Sequence, residues 1–250
     1  MTSPDRRDDD AVDPLRRRLL LAAAAMPTLP LLSACATTSV AGDGPAAKAP
    51  EWRLGDRWTY AATDGFRMPV VWTETREIVA AGAEGFQLRV TQKGPTVDNT
   101  RVEHWPSPGQ LRSGALMDNE MRRFTPPLPR LEFPLSSGQR WSLFANSLDP
   151  ATDATGQINY FVRVSGWDKT TVGGTTYDTL GLRLLIRLDD ETFWRHATEC
   201  NQFFHYAPSI GGTVLEERDA QYFEKGDMRH AIAIRSQHAR FSLTEFRRGG

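Results

Sequence analysis

The sequence predicts an all-β fold, a curved antiparallel sheet that forms a half-open barrel or a β-sandwich. Segments rich in Val, Ile, Thr and aromatic residues recur after residue 50, and Gly, Pro, Asn and Asp residues separate them, as alternating strands and turns require. After residue 34, helical periodicity is weak throughout, and Leu116–Phe124 is the best candidate for one short helix. We therefore expect strands to build nearly all of the folded part.

The predicted strands follow one another at short intervals along the chain. They are Arg57–Thr63, Pro69–Ala80, Gly85–Gln92, Thr100–Trp105, Gln139–Ala145, Gln157–Trp167, Tyr177–Leu188, Glu191–Thr198, Gln202–Tyr206, Gly212–Glu217 and Met228–Phe246. Turn-forming residues stand between them, at Gly82–Gly85, Gly173-Gly174, Asp189-Asp190, Glu199–Asn201 and Gly211-Gly212.

A proline-rich stretch separates the two halves of the strand pattern. Phe124–Leu135 contains four prolines, and proline cannot donate a hydrogen bond to a neighbouring strand. We expect an extended crossover on the surface, of polyproline type, and not a central strand.

A short pattern occurs twice, once in each half. Gly55–Trp58 and Gly138–Trp141 share the order Gly-x-Arg-Trp, which suits a glycine turn leading into a strand whose tryptophan points inward. The repeat fits two β-rich halves, and it also fits a coincidence of two similar turns. Whether the strands form one sheet or two stays open.

Residues 1–34 are predicted to be a cleaved signal peptide. Arg16–Arg18 supply a basic start, and Leu19–Leu32 form an apolar run that is too short to span a bilayer. Leu32–Cys35 resembles a bacterial lipobox, so we expect a diacylglyceryl group on the Cys35 thiol and an N-acyl chain. Arg16–Arg18 also fits a twin-arginine signal, and the export route stays open.

The same pattern predicts where the protein resides and how its parts are divided. Residue 36 is Ala and not the Asp that retains similar lipoproteins in the inner membrane, so the resemblance favours the periplasmic face of the outer membrane. Residues 35–50 are small and rich in Pro and Gly, which predicts the lipidated cysteine and a flexible linker. Residues 51–250 then form the β-rich periplasmic domain.

Charge and cysteine content limit the function classes. The formal net charge is −1, so no global field draws in nucleic acid, and no nucleic-acid partner is expected. With Cys35 used by the lipid, Cys200 is the one remaining cysteine and no intramolecular disulfide is available. The domain must therefore rely on its core, to which seven Trp and twelve Phe contribute.

Several motifs together resemble a broad set of uncharacterised bacterial β-rich lipoproteins. The opening Leu54–Tyr60 comes first, then Phe133–Leu135 leading into Gly138–Trp141. A glycine turn in Val172–Leu180 and the segment Phe204–Val214 follow in the same order. The resemblance implies a curved antiparallel sheet, distantly like the half-barrel carriers of lipids and lipoproteins, and it implies no established activity.

The sequence departs from that family pattern at two places. His205 stands at a position where tryptophan is usual, and Ser209 stands where glycine is usual. The turn at Gly173-Gly174 lacks the usual Pro-Ala before it. Each motif is short and mainly structural, so the resemblance concerns the fold.

No motif predicts catalysis, a metal or a cofactor. The five histidines form no metal-ligand spacing, although His196 and His205 flank Cys200. Asp189–Glu191 are consecutive, so strand alternation points them to opposite faces. Pro208–Gly211 does not supply the nucleophile elbow of a hydrolase. We therefore expect a protein that is not an enzyme.

Aromatic residues offer the best candidate binding site. A groove in the curved sheet could hold an apolar ligand or lipid against tryptophans, and the candidates are Trp58, Trp105, Trp141 and Trp167. The expected function is binding or maintenance in the envelope, with a lipid or protein partner. The alternative is a structural or assembly lipoprotein whose exposed edge strand pairs with an outer-membrane protein. A hydrolase is the third hypothesis.

Overall fold

The computed structural model describes residues 42–117, 119–189, 194–225 and 233–250. The predictions for residues 1–41, including Cys35, lie outside the described residues, as do those for residues 190–193 and 226–232. The described part contains twelve strands: β1 (Arg57–Asp64), β2 (Val70–Gly82), β3 (Gly85–Lys93), β4 (Asp98–Trp105), β5 (Gln110–Ala115), β6 (Met121–Pro129), β7 (Arg140–Leu148), β8 (Thr155–Val172), β9 (Thr175–Leu188), β10 (Thr198–Ala207), β11 (Gly212–Phe223) and β12 (Ala233–Arg247).

The strands form one closed antiparallel barrel. Each strand pairs with its neighbours in the chain, and β1 pairs with β12 to close the sheet. The all-β antiparallel prediction is confirmed, and the structure answers the open question with one sheet. The closure is complete, which goes beyond the half-open form that was expected.

Alternation along the strands places apolar side chains inside. In β8, Ile158, Tyr160, Val162 and Val164 are buried, whereas the residues between them are exposed or half-buried. A period of two puts such a set on one face of the sheet. The interior therefore carries the core, with one apolar cluster mainly on β6–β10 and a second mainly on β1–β3, β11 and β12.

The barrel wall is weakly paired on both sides of the β5–β6 hairpin, which comprises Gln110–Pro129. On one side, β4 and β5 pair only at His104 and Ser113. On the other, β6 pairs with β7 only over Arg123–Thr125. We call these two places the seams of the barrel.

The proline-rich stretch does not form the surface crossover that the sequence predicted, because its first part is strand β6. Pro126 and Pro127 lie in β6 between its two paired regions and have no register partner on β5 or β7. A missing N–H is tolerated where no ladder bond is made. Proline is therefore compatible with this strand because the strand borders a seam.

Residues 42–56, which we call the closing segment, cross the lower end of the barrel, where β1 begins. Gly42 pairs with Trp167, and Ala47 exchanges two backbone hydrogen bonds with Leu135. Ala47 is buried, and Gly44 lies directly against the Trp167 ring. Residues 42–50 of the predicted linker are thus seated on the barrel.

Three further local predictions are wrong. The strand predicted over Glu191–Thr198 is not formed in its described part, where residues 194–197 make only an isolated bridge at Arg195 and Thr198 begins β10. The described residues of Leu116–Phe124 are not helical: Leu116 and Met117 follow β5 and are buried in the core, and residues 121–124 belong to β6. Glu199–Asn201 is not a turn but the paired beginning of β10. Tertiary pairing overrides weak local preference at Leu116–Phe124 and at Glu199–Asn201.

Among the described residues, no helix has the length and apolarity to cross a membrane.

Candidate ligand site inside the barrel

A cluster of buried charges occupies the middle of the barrel. The Glu216 carboxylate accepts a hydrogen bond from Arg76 Nη1 at 2.5 Å, and Arg218 binds the same carboxylate. Arg76 Nε donates to Glu74 at 2.8 Å, so the four side chains are linked in one network. These residues come from β2 and β11, whose inward positions therefore face each other across the interior.

A second ion pair extends this cluster toward β4. Arg101 Nε donates to Glu103 at 3.0 Å, and Gln92 Nε2 donates to Glu74 at 2.8 Å. Arg101 and Arg218 both act on the Glu74 carboxyl. We refer to the three glutamates and their arginines as the ionic cluster.

The arginines of the ionic cluster keep Glu74 and Glu216 ionised. Burial opposes ionisation of Glu216, but Arg218 and Arg76 outweigh it and hold the pKa of Glu216 well below its usual range. The pKa of Glu74 is lowered too, because Arg76 and Arg101 outweigh its burial. Burial raises the pKa of Tyr60 to about 12, so its hydroxyl stays neutral and donates to the Thr213 carbonyl at 2.9 Å.

Below the ionic cluster lies a cavity of about 100 Å³, the lower cavity. Its walls combine aromatic rings with a few polar groups: Trp52, Trp58, Trp105, Phe204, Tyr206 and Arg130. The closing segment supplies Trp52, whose ring centroid lies 6.2 Å from that of Trp58 and 5.7 Å from that of Trp105 in edge-to-face contacts. The closing segment is therefore part of the cavity wall.

Backbone carbonyls of the turn between β10 and β11 hold two of these indoles in place. Trp52 Nε1 donates to Gly211 and Trp58 Nε1 donates to Ile210, each at 3.0 Å. Both indoles are thus fixed by a hydrogen bond at one side and by ring contacts at the other. Such side chains form a preorganised apolar wall.

Among the residues that line the lower cavity, Arg130 and Tyr206 each have a buried polar atom without a hydrogen-bond partner. Arg130 is 6% exposed, and its Nη2 donates to Gln202 at 3.2 Å, but its Nε has no partner. The Tyr206 hydroxyl is also buried without a partner. Burial lowers the pKa of Arg130 and raises that of Tyr206.

A second cavity of about 360 Å³ lies above the ionic cluster and opens at the upper end of the barrel. Trp72, Phe241 and Gln237 line it, and Phe66, which is exposed, stands at its mouth. Trp72 Nε1 and Gln237 Oε1 are buried there without hydrogen-bond partners. Arg101 and Arg218 of the ionic cluster border both cavities.

The structure brings together two of the four predicted ligand-binding tryptophans. Trp58 and Trp105 line the lower cavity. Trp141 lies at the β6–β7 seam, where its Nε1 donates to the Pro129 carbonyl at 2.7 Å. Trp167 lies at the lower end under Gly44, outside the lower cavity.

Sequence reasoning missed Trp52, Arg130 and Tyr206. Trp52 stands three residues before Gly55, where the first Gly-x-Arg-Trp pattern begins, and no motif of its own marks it. Arg130 follows the third proline of the proline-rich stretch, and the only available signal was a single charge among apolar residues. The approach of these side chains depends on barrel closure, which no local pattern encodes.

The described residues contain no group of three or more His, Cys, Asp or Glu side chains close enough to hold a metal ion. His205 Nδ1 shares a hydrogen bond with Thr170 at 2.9 Å, and Cys200 Sγ lies 3.5 Å from Met117 Sδ. His205 and Cys200 therefore each make a local packing contact and do not meet in a metal site.

The fold and the site define a closed antiparallel β-barrel with an aromatic and arginine-lined interior. No protein-family model matches the sequence, and no curated protein does. Similar solved structures include the following two. A Bacteroides fragilis protein described as exported and YmcC-like in fold is 10% identical, with a TM-score of 0.49, over 82% of this chain and 100% of that one. The hypothetical lipoprotein YmcC of Escherichia coli K12 is 9% identical, with a TM-score of 0.42, over 77% and 85%. At these scores the likeness says nothing about function.

Proposed function

We propose that this protein is a lipid-anchored, non-catalytic protein of the bacterial cell envelope whose barrel holds a small ligand in the lower cavity. The convergence of Trp52, Trp58 and Trp105 on that cavity carries the ligand-binding part. The basic residues, the apolar run and Cys35 of the leader support the lipid anchor, and Ala36 supports the periplasmic face of the outer membrane.

The cavity volume limits what can be bound. Sites for drug-sized ligands are about 300–1,000 Å³, whereas the lower cavity measures about 100 Å³. A dry cavity of about 150 Å³ accepts benzene. A whole acyl chain therefore does not fit, and we propose a small molecule, or the end of a larger one, as the occupant.

The absence of catalysis is supported by the state of the interior acids. Glu74 and Glu216 each bind arginine, which holds their pKa values low. A general acid or base works best with a pKa near the working pH. These carboxylates are therefore suited to structure and electrostatics, and poorly suited to proton transfer at neutral pH.

The second candidate function is pairing with an outer-membrane protein, and the β6–β7 seam favours it. Residues 140–145 of β7 have no register partner on β6, and Phe144 in this stretch is 72% exposed. A strand of a partner could add there by backbone hydrogen bonds. A photocrosslinker at position 144, compared with one at position 161 on the outer face of β8, would detect such a partner in intact cells.

Native mass spectrometry of the mature protein, extracted from its own envelope in mild detergent, tests the principal proposal. We expect a stoichiometric small-molecule adduct that is lost when Trp58→Ala and Trp105→Ala are combined. Trp194→Ala is the control, because Trp194 is 41% exposed and makes an edge-to-face contact with Tyr222, which does not line the lower cavity. A mass without adduct, together with tryptophan fluorescence that no small solute changes, would contradict ligand binding.

A further inference from the structure

The charged side chains that line the lower cavity or bind to its lining carry one more positive than negative charge; Asp56, which is also buried, is paired with Arg248. Four arginines, Arg76, Arg101, Arg130 and Arg218, face three glutamates, Glu74, Glu103 and Glu216. Every glutamate of this set is bound to an arginine. The unmatched charge belongs to Arg130, which forms no ion pair with any carboxylate of the described residues.

Arg130 is held in place but is incompletely satisfied. One hydrogen bond joins its Nη2 to Gln202, whose own amide nitrogen donates to the Leu116 carbonyl at 2.6 Å. The guanidinium carbon lies 5.1 Å from the centre of the Phe204 ring. Its Nε is buried and makes no well-formed hydrogen bond, and the neutral Tyr160 hydroxyl beside the guanidinium does not balance its charge.

Two neutral donors accompany it. The Tyr206 hydroxyl is buried and has no partner, and the Tyr160 hydroxyl, also buried, is hydrogen-bonded at most weakly to Arg130. Burial raises the pKa of both well above the ordinary value. Tyr206 borders the lower cavity with Arg130, and Tyr160 is close enough for its charge state to act on Arg130. A fixed cation and neutral O–H donors form the kind of site that receives an anion.

An unpaired buried charge is costly, and proteins normally pair it or bind something to it. Loss of the proton does not relieve the cost, because a guanidinium remains charged in proteins. We propose that the lower cavity is a carboxylate site, in which Arg130 and the Tyr206 hydroxyl bind the carboxylate of a ligand whose short apolar stem lies against Trp58 and Trp105. This inference rests on the proposed function and names the chemical class of its ligand.

The charge around the lower cavity and the volume of that cavity limit which anion can be the ligand. A carboxylate is a monoanion and balances the single excess charge of the interior, whereas a phosphate dianion would overshoot it. At about 100 Å³ the cavity is about two thirds the size of one that accepts benzene, so it encloses about four non-hydrogen atoms. Butyrate, with six, would fill it and reach its opening, and a longer acid would extend further out.

Titration calorimetry of the mature protein in detergent, after dialysis against chloride buffer, tests the inference. The probes are butyrate, its neutral analogue butyramide, inorganic phosphate and the long-chain acid tetradecanoate. Arg130→Met is the test variant. Arg183→Met is the matched control, because Arg183 also lies over a phenylalanine, Phe203, but is exposed on the outside of the barrel.

We expect butyrate to bind at least tenfold more tightly than butyramide or phosphate. Arg130→Met should weaken butyrate binding roughly 10- to 100-fold, which is the effect of losing a hydrogen bond to a charged group. Butyramide binding should change little, and Arg183→Met should leave all values unchanged. Tetradecanoate binding as tightly as butyrate would assign the carboxylate to an acyl chain, and its failure would assign it to a small free acid.

Equal binding of butyrate and butyramide, unaffected by Arg130→Met, would overturn the carboxylate site and leave the small-ligand proposal standing. Binding of none of the probes, with tryptophan fluorescence unchanged, would overturn both. Tighter binding of phosphate than of butyrate would overturn the carboxylate class alone.

The thermal stability of the ligand-free protein is a second readout that does not depend on the probe. An uncompensated buried charge carries a desolvation cost that an apolar side chain of similar length does not, so we expect Arg130→Met to raise Tm by a few degrees. Arg218→Met should lower Tm, because it leaves Glu216 with one fewer partner. A fall in Tm for Arg130→Met equal to that for Arg218→Met would show that Arg130 is compensated within the chain, and would overturn the inference.

Discussion

Gly212 lies directly against the indole of Trp58, and a Cβ on Gly212 would come within 2.5 Å of Trp58 Nε1. The same nitrogen is fixed by its hydrogen bond to Ile210. Trp58 therefore cannot yield without losing that bond. The close approach of a glycine at the start of β11 sets the position of a lower-cavity wall.

Gly212→Ala should therefore displace Trp58 and destabilise the barrel by about 1–3 kcal/mol, as overpacking does. Chemical denaturation followed by tryptophan fluorescence measures the loss. Gly82→Ala is the matched control, because nothing lies within 4 Å of a Cβ there, and it should change the free energy of unfolding little. Equal effects of the two substitutions would contradict this account of the Trp58 contact.

Stability should fall in acid because of the ionic cluster. The folded-state pKa of Glu216 and that of Glu74 lie below the ordinary value of 4.5. For groups whose pKa is lowered by folding, the stabilisation is complete above about pH 4.5 and is lost as the pH falls toward the folded-state values. Each carboxyl contributes a slope of up to about 1.4 kcal/mol per pH unit in that window.

The slope can be assigned by substitution. Glu216→Gln should lower stability at neutral pH and reduce the acid slope of the unfolding free energy between about pH 4.5 and 2.5. Glu245→Gln should leave the slope unchanged, since Glu245 and its partner Arg247 are exposed. An unchanged slope in Glu216→Gln would mean that other carboxyls cause the acid sensitivity.

The closing segment should contribute to stability. Ala47 is buried against the barrel, whereas its neighbour Ala46 is exposed. Ala47→Asp should cost about 3 kcal/mol, because it places a carboxylate in an apolar contact, and Ala46→Asp should cost close to nothing. Thermal unfolding compares the two. Equal Tm values would show that residues 42–50 act only as a linker.

The number of reactive thiols tests the lipid on Cys35. Cys200 is buried beside Met117, so a thiol reagent should label the native mature protein slowly. In guanidinium chloride we expect one thiol per chain, because a thioether at Cys35 does not react, and none in the Cys200→Ala variant. Two thiols in the unfolded wild-type protein would contradict lipidation.

The strand pattern was predictable because alternation and turn residues act locally. β3 and β9 lie within a few residues of their predicted bounds. The existence of strand β6 was not predictable. Proline excludes a strand only where a neighbouring strand accepts a hydrogen bond from that N–H, and at the seam no neighbour does so. The abundance of tryptophan was enough to propose Trp58 and Trp105 as ligand-binding candidates. Arg130 could not be proposed, because its isolation is a property of the closed interior.

The seams affect two rates, the exchange of amide hydrogens with water and the dissociation of a bound ligand. A hairpin joined to its neighbours by so few backbone bonds is a unit that opens without global unfolding, so amide hydrogens of β5 and β6 should exchange faster than those of β8 and β9. Arg130 follows directly on Pro129, the last residue of this hairpin. A ligand bound to Arg130 would therefore tether the hairpin, and ligand dissociation and hairpin opening would share one rate constant.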